Sequence, residues 1–366
     1  MKNQVTKHNV ESSSASHAEV KHYFVAVNTS SIRQRGRSSG FTLLELMIAL
    51  VLGLIVSAVA LQLFLTSQRS VTTQQGMMNL QNSTLFGMGT MVNHIRLANF
   101  NSSQPYIDDK VLYGGIVISA RNLSEHLDAS GNFDFSVDEA LLTRGAIGES
   151  NLNGQKSDQL VIQYRVNEPN QFDCEGTGLT LSDYVVERYF LRTDTNRNDP
   201  NQPLALACKA TRYTEDDAKN KNKIADFTGG GLAGNGEMII PRVDHFSVRL
   251  GVAYDGANAN CNSVTEVDAG GTTTNIAADS RLDCFSYMNI EDYRTLADKK
   301  PQIVSVQIGL LVRSSDTAGN NQFFDANQDY KVLNVEAKLK ASDRNRFYLR
   351  NVVTQTIAIR NGFGVQ

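Results

Sequence analysis

Apolar and polar positions divide this chain into three regimes. Residues 1–40 are polar, with a serine patch at Ser12, Ser13, Ser14 and Ser16 and bases at Arg33, Arg35 and Arg37. The next 25 residues, Phe41 to Leu65, contain one charged side chain, Glu45. At about 1.5 Å per residue this run spans roughly 37 Å as a helix, enough to cross a bilayer's hydrocarbon core. Beyond it the chain turns amphipathic. Val71, Met78, Leu85, Met88, Val92 and Ile95 recur at helical spacing among Gln, Asn, Thr and Ser, which predicts that the helix continues to about Asn99, before Pro105. The two halves, 41–65 and 66–100, make one rod of about 90 Å at the standard rise. Gly76, Gly87 and Gly89 each cost a helix interior up to about 1 kcal/mol, so local bending is expected there.

Residues 101–366 change period. Phe246, Val248, Leu250, Val252 and Tyr254 alternate with Ser247, Arg249, Gly251 and Ala253, and Val304, Val306, Ile308, Leu310 and Val312 alternate more cleanly still. Both read as strands with one buried face. Further strands are expected at Gln159–Val166, Tyr184–Arg192, Tyr330–Lys340 and Arg346–Ile359. The loops between them are rich in Gly, Asn and Asp. The run Gly229–Gly236 superficially matches G-x-G-x-x-G, but it does not lie between a hydrophobic strand and a helix, so a nucleotide loop is not indicated.

Glu45 gives the apolar run a purpose. A carboxylate at mid-membrane is disfavoured by about 2.5–3.5 kcal/mol on insertion scales, so one that is kept there has a job. It stands in Gly40-Phe41-Thr42-Leu43-Leu44-Glu45, which resembles the class III signal of type IV pilins and type II secretion pseudopilins. The resemblance implies cleavage by a prepilin peptidase on the cytoplasmic side after Gly40, removing 1–40 as a leader, and N-methylation of the new terminus at Phe41. The freed α-amine, with a reference pKa near 7.7–8.0, is largely cationic. Glu45 lies one turn below it, and in a staggered assembly Glu45 also reaches the Phe41 amine of a neighbouring subunit. Pairing the two removes most of the cost of carrying either in lipid. Arg33, Arg35 and Arg37 place the preceding segment in the cytoplasm. One alternative is signal-peptidase cleavage after Ala58-Val59-Ala60, but Leu61, Leu63, Phe64 and Leu65 simply continue the apolar helix.

Later blocks are similar to the PilW-type minor pilins: Tyr189-Phe190-Leu191-Arg192 with Cys208, Val243-Asp244-His245-Phe246-Ser247-Val248, Ile303 to Arg313, and the ending Tyr348 to Asn361. This resemblance implies an α+β, type IV pilin-like fold: a long N-terminal α-helix, transmembrane then amphipathic, packed on a large antiparallel β-sheet domain over 101–366. It implies a single-pass inner-membrane protein with a periplasmic domain that moves to the pilus tip. The expected role is to help prime pilus assembly, with twitching motility, adhesion and DNA uptake as associated phenotypes. Expected partners are other minor pilins, the major pilin, the inner-membrane assembly platform and a tip adhesin. The alternatives are a J-type minor pseudopilin of type II secretion, or a membrane-anchored or secreted β-domain adhesin. Glu45 argues against the tip-most pseudopilin type, which lacks that acid.

Charge and reactive side chains narrow the picture further. Of 35 Lys/Arg and 38 Asp/Glu, six bases and two acids precede Phe41, leaving 29 and 36 and a net charge of −7. That balance, with no basic run interleaved with aromatics, argues against direct nucleic-acid binding. Cys174, Cys208, Cys261 and Cys284 all follow the membrane segment, where an oxidising compartment is expected. Four cysteines allow three pairings; the sequential one, Cys174–Cys208 and Cys261–Cys284, is preferred because it staples the long polar loops. His94, His126 and His245 are the histidines beyond Phe41. No pair has zinc spacing, no nucleophile elbow occurs, and no enzymatic activity or cofactor is expected. Asp325, Asn327, Asp329 and Glu336 fall at positions one, three, five and twelve of a calcium loop, with Tyr330 in place of the required glycine. Asp194, Asn196 and Asn198 form a second partial match.

Overall fold

The computed structural model describes residues 40–195, 203–220, 231–256, 281–297, 300–317, 327–344 and 346–364, with short pieces at 265–267, 270–271, 273–275, 279 and 325. The polar segment 1–39, Cys261, Asn196 and Asn198 lie outside the described residues. The helices are α1 (Leu43–Leu97), α2 (Glu215–Ala218), α3 (Ile290–Thr295) and α4 (Ala341–Arg344). The strands are β1 (Arg144–Gly148), β2 (Ser157–Arg165), β3 (Tyr184–Thr193), β4 (Leu204–Tyr213), β5 (Glu237–Ile240), β6 (Val243–Tyr254), β7 (Thr265–Val267), β8 (Thr273–Asn275), β9 (Cys284–Asn289), β10 (Gln302–Thr317), β11 (Asp329–Val332), β12 (Val335–Lys338) and β13 (Tyr348–Ala358). The chain divides into two compact units, at Leu61 and Gln62.

The first unit is the apolar start of α1. From Phe41 to Leu65 every large apolar side chain is more than half exposed. Such a surface is stable only when lipid or protein covers it.

In the second unit the rest of α1 packs on antiparallel sheets. One sheet has five strands in the order β1-β2-β3-β4-β5, and another has four in the order β13-β10-β6-β9. Phe246, Val248, Leu250 and Val252 of β6 and Val306, Ile308, Leu310 and Val312 of β10 join one core with Leu80, Met88, Met91, Val92 and Ile95 of the helix. Leu160, Ile162, Tyr189, Leu191 and Leu206 carry that core into the five-stranded sheet. The alternating residues of β6 and β10 share this core as expected, but the expected single buried face needs correction: Ser247, Gly251, Ala253 and Leu311 on the other face are buried too. Side chains at the start of β2 stitch the two sheets together: Ser157 Oγ accepts from Phe246 N at 3.1 Å and Asp158 Oδ2 from Val248 N at 2.7 Å.

The helical stripe needs correction. Val71, Met78 and Leu85 are exposed, at 49, 60 and 68 %. The buried face runs instead through Gly76, Leu80, Thr84, Gly87, Met88, Met91, Val92 and Ile95. A strict seven-residue repeat drifts about 20° per heptad around a 3.6-residue helix, so it cannot track a flat sheet. The real stripe also contains two glycines and a threonine, which carry no hydrophobic signal. Thr84 satisfies its buried hydroxyl by donating to the Leu80 carbonyl at 2.7 Å. The glycines are places of close approach: a Cβ on Gly87 would stand 2.3 Å from Ile240 Cγ1 and 2.8 Å from the Ile239 carbonyl oxygen.

Two strand assignments also change. The expected strand Tyr330–Lys340 is a hairpin, β11 paired with β12, which reverses at Leu333 with φ of +55°. Leu333 lies over Gly309 of β10, where a Cβ would come within 2.8 Å of its Cγ. β4 was not among the expected strands. Leu204, Ala205, Leu206, Ala207 and Cys208 are all buried, because β4 is internal to its sheet and covered on both faces, which erases the period of two.

Gly87→Ala is expected to destabilise the full-length protein by about 1–3 kcal/mol despite alanine's better helix propensity, because the neighbouring backbone carbonyl cannot yield. Gly89→Ala, at a helix position with no neighbouring atom within 4 Å, is expected to be neutral or stabilising. Urea titration of the detergent-solubilised chain, read by limited proteolysis, measures both.

Candidate functional site

The junction expected to be processed lies just ahead of α1. Gly40, Phe41 and Thr42 are outside the helix, and Phe41 is 81 % exposed. Thr42 caps the helix: its Oγ1 accepts from Glu45 N at 3.2 Å, and its carbonyl accepts from Leu46 N at 3.2 Å. Thr42-Leu43-Leu44-Glu45 is thus the Thr-x-x-Glu pattern of a capping box, a role the sequence reading had not assigned to Thr42. The cap fixes the first helical residue and leaves Gly40–Phe41 as accessible chain. A new amine at Phe41 would face the positive end of the helix dipole, and Glu45, in the first turn, supplies the opposing charge.

A second constellation pins the helix to the five-stranded sheet. Glu187 of β3 is fully buried. Its Oε1 accepts from Tyr164 OH at 3.1 Å and Cys174 N at 2.9 Å and lies 2.8 Å from His94 Nδ1, while Oε2 accepts from Tyr189 OH at 2.7 Å. Burial opposes charging of His94, but the hydrogen bond and the negative charge of Glu187 outweigh it and raise its pKa above 6.5. His245 behaves oppositely. Its Nδ1 lies 2.9 Å from Ser150 Oγ and 3.3 Å from Ser157 Oγ, and burial pushes its pKa down to about 4. His126 sits elsewhere, its Nδ1 3.1 Å from the Lys219 carbonyl. Each histidine is thus held by its own structural partners.

The third constellation joins β6, β10 and β13. Asp244, fully buried, accepts from Arg350 Nε at 2.6 Å and Asn151 Nδ2 at 2.8 Å, with Arg313 Nε at 3.6 Å. Arg313 and Arg350 face each other across the β10–β13 pairing, so the shared aspartate offsets a like-charge pair. The Arg313 guanidinium also lies 4.2 Å from the centre of the Tyr348 ring. In the sequence these three residues stand in separate strand blocks, because their convergence needs the strand register.

Cys174 and Cys208 form a disulfide between the β2–β3 loop and β4, with Cα atoms 6.1 Å apart. Cys284 is also disulfide-bonded; its expected partner Cys261 lies outside the described residues. The calcium pattern is not assembled. Asp329 faces Lys338 and Glu336 faces Lys331 on opposite strands of the hairpin, while Asp325 Oδ1 accepts from Asn327 N in a local turn at 2.8 Å. A loop must carry positions one to twelve around one ion, and here the ladder holds Asp329 and Glu336 apart. Of the glycine run, Gly229 and Gly230 lie outside the described residues; Gly236 has φ of +62° and a Cβ there would lie 2.1 Å from the Cys208 carbonyl oxygen.

Residues 188–361, from β3 through β13, match the family model described as type IV pilus-assembly protein W, and residues 35–61 match the prokaryotic N-terminal methylation motif. The two matches support a PilW-like type IV pilin. The first match contains Asp244, Arg313 and Arg350, and the second contains Gly40, Phe41 and Glu45. A type IV-like pilin from Thermus thermophilus aligns structurally over 78 % of this chain and 98 % of its own, with 10 % identity and a TM-score of 0.33. No curated relative matches the chain. The methylation motif and apolar helix of this chain fit membrane anchoring and incorporation into a pilus.

Half-buried His94 and buried His245 set opposite pH dependences. His94, raised in the folded state, contributes stability that is present below pH 6.5 and lost as pH rises through its folded pKa. His245, depressed to about 4, makes stability fall as pH drops from 6.5 towards 4. The unfolding midpoint of the full chain is expected to be highest near pH 6–6.5. His94→Asn should flatten the alkaline limb and His245→Asn the acid limb. Urea titrations at half-unit pH steps read both.

Proposed function

We propose that this PilW-like pilin is a minor pilin of a type IV pilus, cut between Gly40 and Phe41, methylated at Phe41 and built into the filament through α1. The observation that carries this reading is the capped helix start: Thr42 closes the first turn immediately after an exposed Gly40–Phe41 bond, and an uncovered apolar helix follows. Glu45 then neutralises the Phe41 amine, of its own chain and of a neighbour in a staggered assembly, so that neither charge is carried alone in an apolar medium.

On this reading the chain sits first in the inner membrane with its β domain in the periplasm. There it joins other minor pilins and the assembly platform to start growth of the major-pilin filament, and it ends near the tip. Its contribution is structural and non-catalytic, with no direct nucleic-acid contact. Twitching, adhesion and DNA uptake follow from the pili it helps to start. The PilW match over β3–β13 favours this role over a type II secretion pseudopilin.

The test is intact mass with N-terminal sequencing of the protein from membranes of cells with and without the prepilin peptidase. The expected chain begins at N-methylated Phe41 only when the peptidase is present. A chain beginning at Leu61, or uncut in both strains, rules the reading out. A deletion strain should lose pili; loss of exoprotein secretion with normal pili would instead identify a pseudopilin.

A further inference from the structure

Within the second unit, a cavity of about 30 Å³ lies where α1 meets the turn between β5 and β6. Asn79 and Thr84 border it from the helix, Arg242 from the turn, and Arg313 and Ser315 from β10. Arg242 holds φ of +58°, a conformation that a residue with a side chain keeps only where its surroundings impose it. Its carbonyl accepts from Arg313 N at 3.0 Å. That bond joins the two backbones and brings two arginines to one cavity.

The buried charges beside this cavity do not balance. The Arg313 side chain is 2 % exposed, and its Nε and Nη1 have no hydrogen-bond partner. Asp244 lies 3.6 Å from Nε, beyond hydrogen-bond length. Both Asp244 oxygens are already taken, Oδ2 by Arg350 and Oδ1 by Asn151. One carboxylate thus serves two buried guanidiniums, and one positive charge is left over. A buried cation without a close counter-ion is strongly disfavoured. Water can accept from its N–H groups but cannot offset its charge. The hydroxyls at the cavity are spent, as Thr84 Oγ1 donates to the Leu80 carbonyl and Ser315 Oγ to Asp316 Oδ2. Asp316 itself is exposed to solvent. The Arg313 guanidinium and the Asn79 amide, at the exposed rim, are left as donors, and Arg242 adds positive charge.

We propose that this cavity binds a monatomic anion of halide size, chloride being the abundant one, with Arg313 as its buried counter-charge. The unbalanced guanidinium selects an anion. The volume, about that of one water molecule in the liquid, excludes sulfate, phosphate and a carboxylate carried on a chain. The bound ion would complete the seam between α1, the β5–β6 turn and β10, and make the stability of the second unit depend on chloride.

The test reads binding directly, as broadening of the chlorine-35 resonance by the full-length chain in detergent. Equimolar bromide should reverse the broadening and sulfate should not. Arg242→Gln, which leaves the Asp244–Arg350 bond in place, should weaken chloride binding at least about tenfold. Arg313→Gln should abolish it; where that variant does not fold, Arg242→Gln decides. Arg69→Gln, on an exposed stretch of α1, should change nothing. Chloride at a hundred times its Kd lowers the unfolding constant about a hundredfold. The wild-type urea midpoint should therefore gain more from chloride than that of Arg242→Gln, a difference in which general salt effects cancel. No broadening by the wild-type chain, broadening reversed equally by sulfate, or binding undiminished in Arg242→Gln overturns the proposal.

Discussion

A buried carboxylate carries much of this architecture. Glu187 has no access to water, and a carboxylate stripped of water costs several kcal/mol unless donors replace it. Its donors come from α1, β2, β3 and the β2–β3 loop, through His94, Tyr164, Tyr189 and the Cys174 amide. None of these groups can leave without stranding the charge, so the helix, two strands and the disulfide-bearing loop hold one arrangement. The nearby Cys174–Cys208 bridge fixes the same loop covalently to β4.

Around that pin, α1 meets two opposed demands. Beside the sheets its face is lined with Gly76, Thr84 and Gly87 between larger apolar residues, which lets the helix backbone approach Ile239 and Ile240 closely. Along its apolar start the large side chains stay uncovered, as a helix intended for lipid and for other helices requires. Glycine is poor in an isolated helix, so its presence reflects packing. At Gly87 the missing side chain makes room for a contact.

The Asp244 cluster does for the four-stranded sheet what Glu187 does for the helix. Arg313 and Arg350 would repel each other across the β10–β13 ladder, and Asp244 on β6 makes their register favourable. A one-residue slip of β13 would send Arg350 to the opposite face, away from Asp244. The cluster therefore defines the register of β13.

Much of this was legible from local chemistry. The apolar run, the lone Glu45 and the Gly40-Phe41 junction depend on contiguous residues, and so does the alternation that predicted β6 and β10. The PilW-like character was readable for the same reason. What escaped the sequence depended on partners distant along the chain. The buried stripe of α1 was misplaced because glycine and threonine carry no apolar signal, and β4 was missed because burial on both faces removes its period. The Tyr330–Lys340 hairpin was read as one strand because Leu333 is not a residue that announces a left-handed turn. Sequence alone determined the long apolar helix, the methylation motif that opens it and the class of fold, since these follow from periodicity and composition over short windows. Only the tertiary structure decided which helix face is covered and which charges share a partner, because both are set by long-range register.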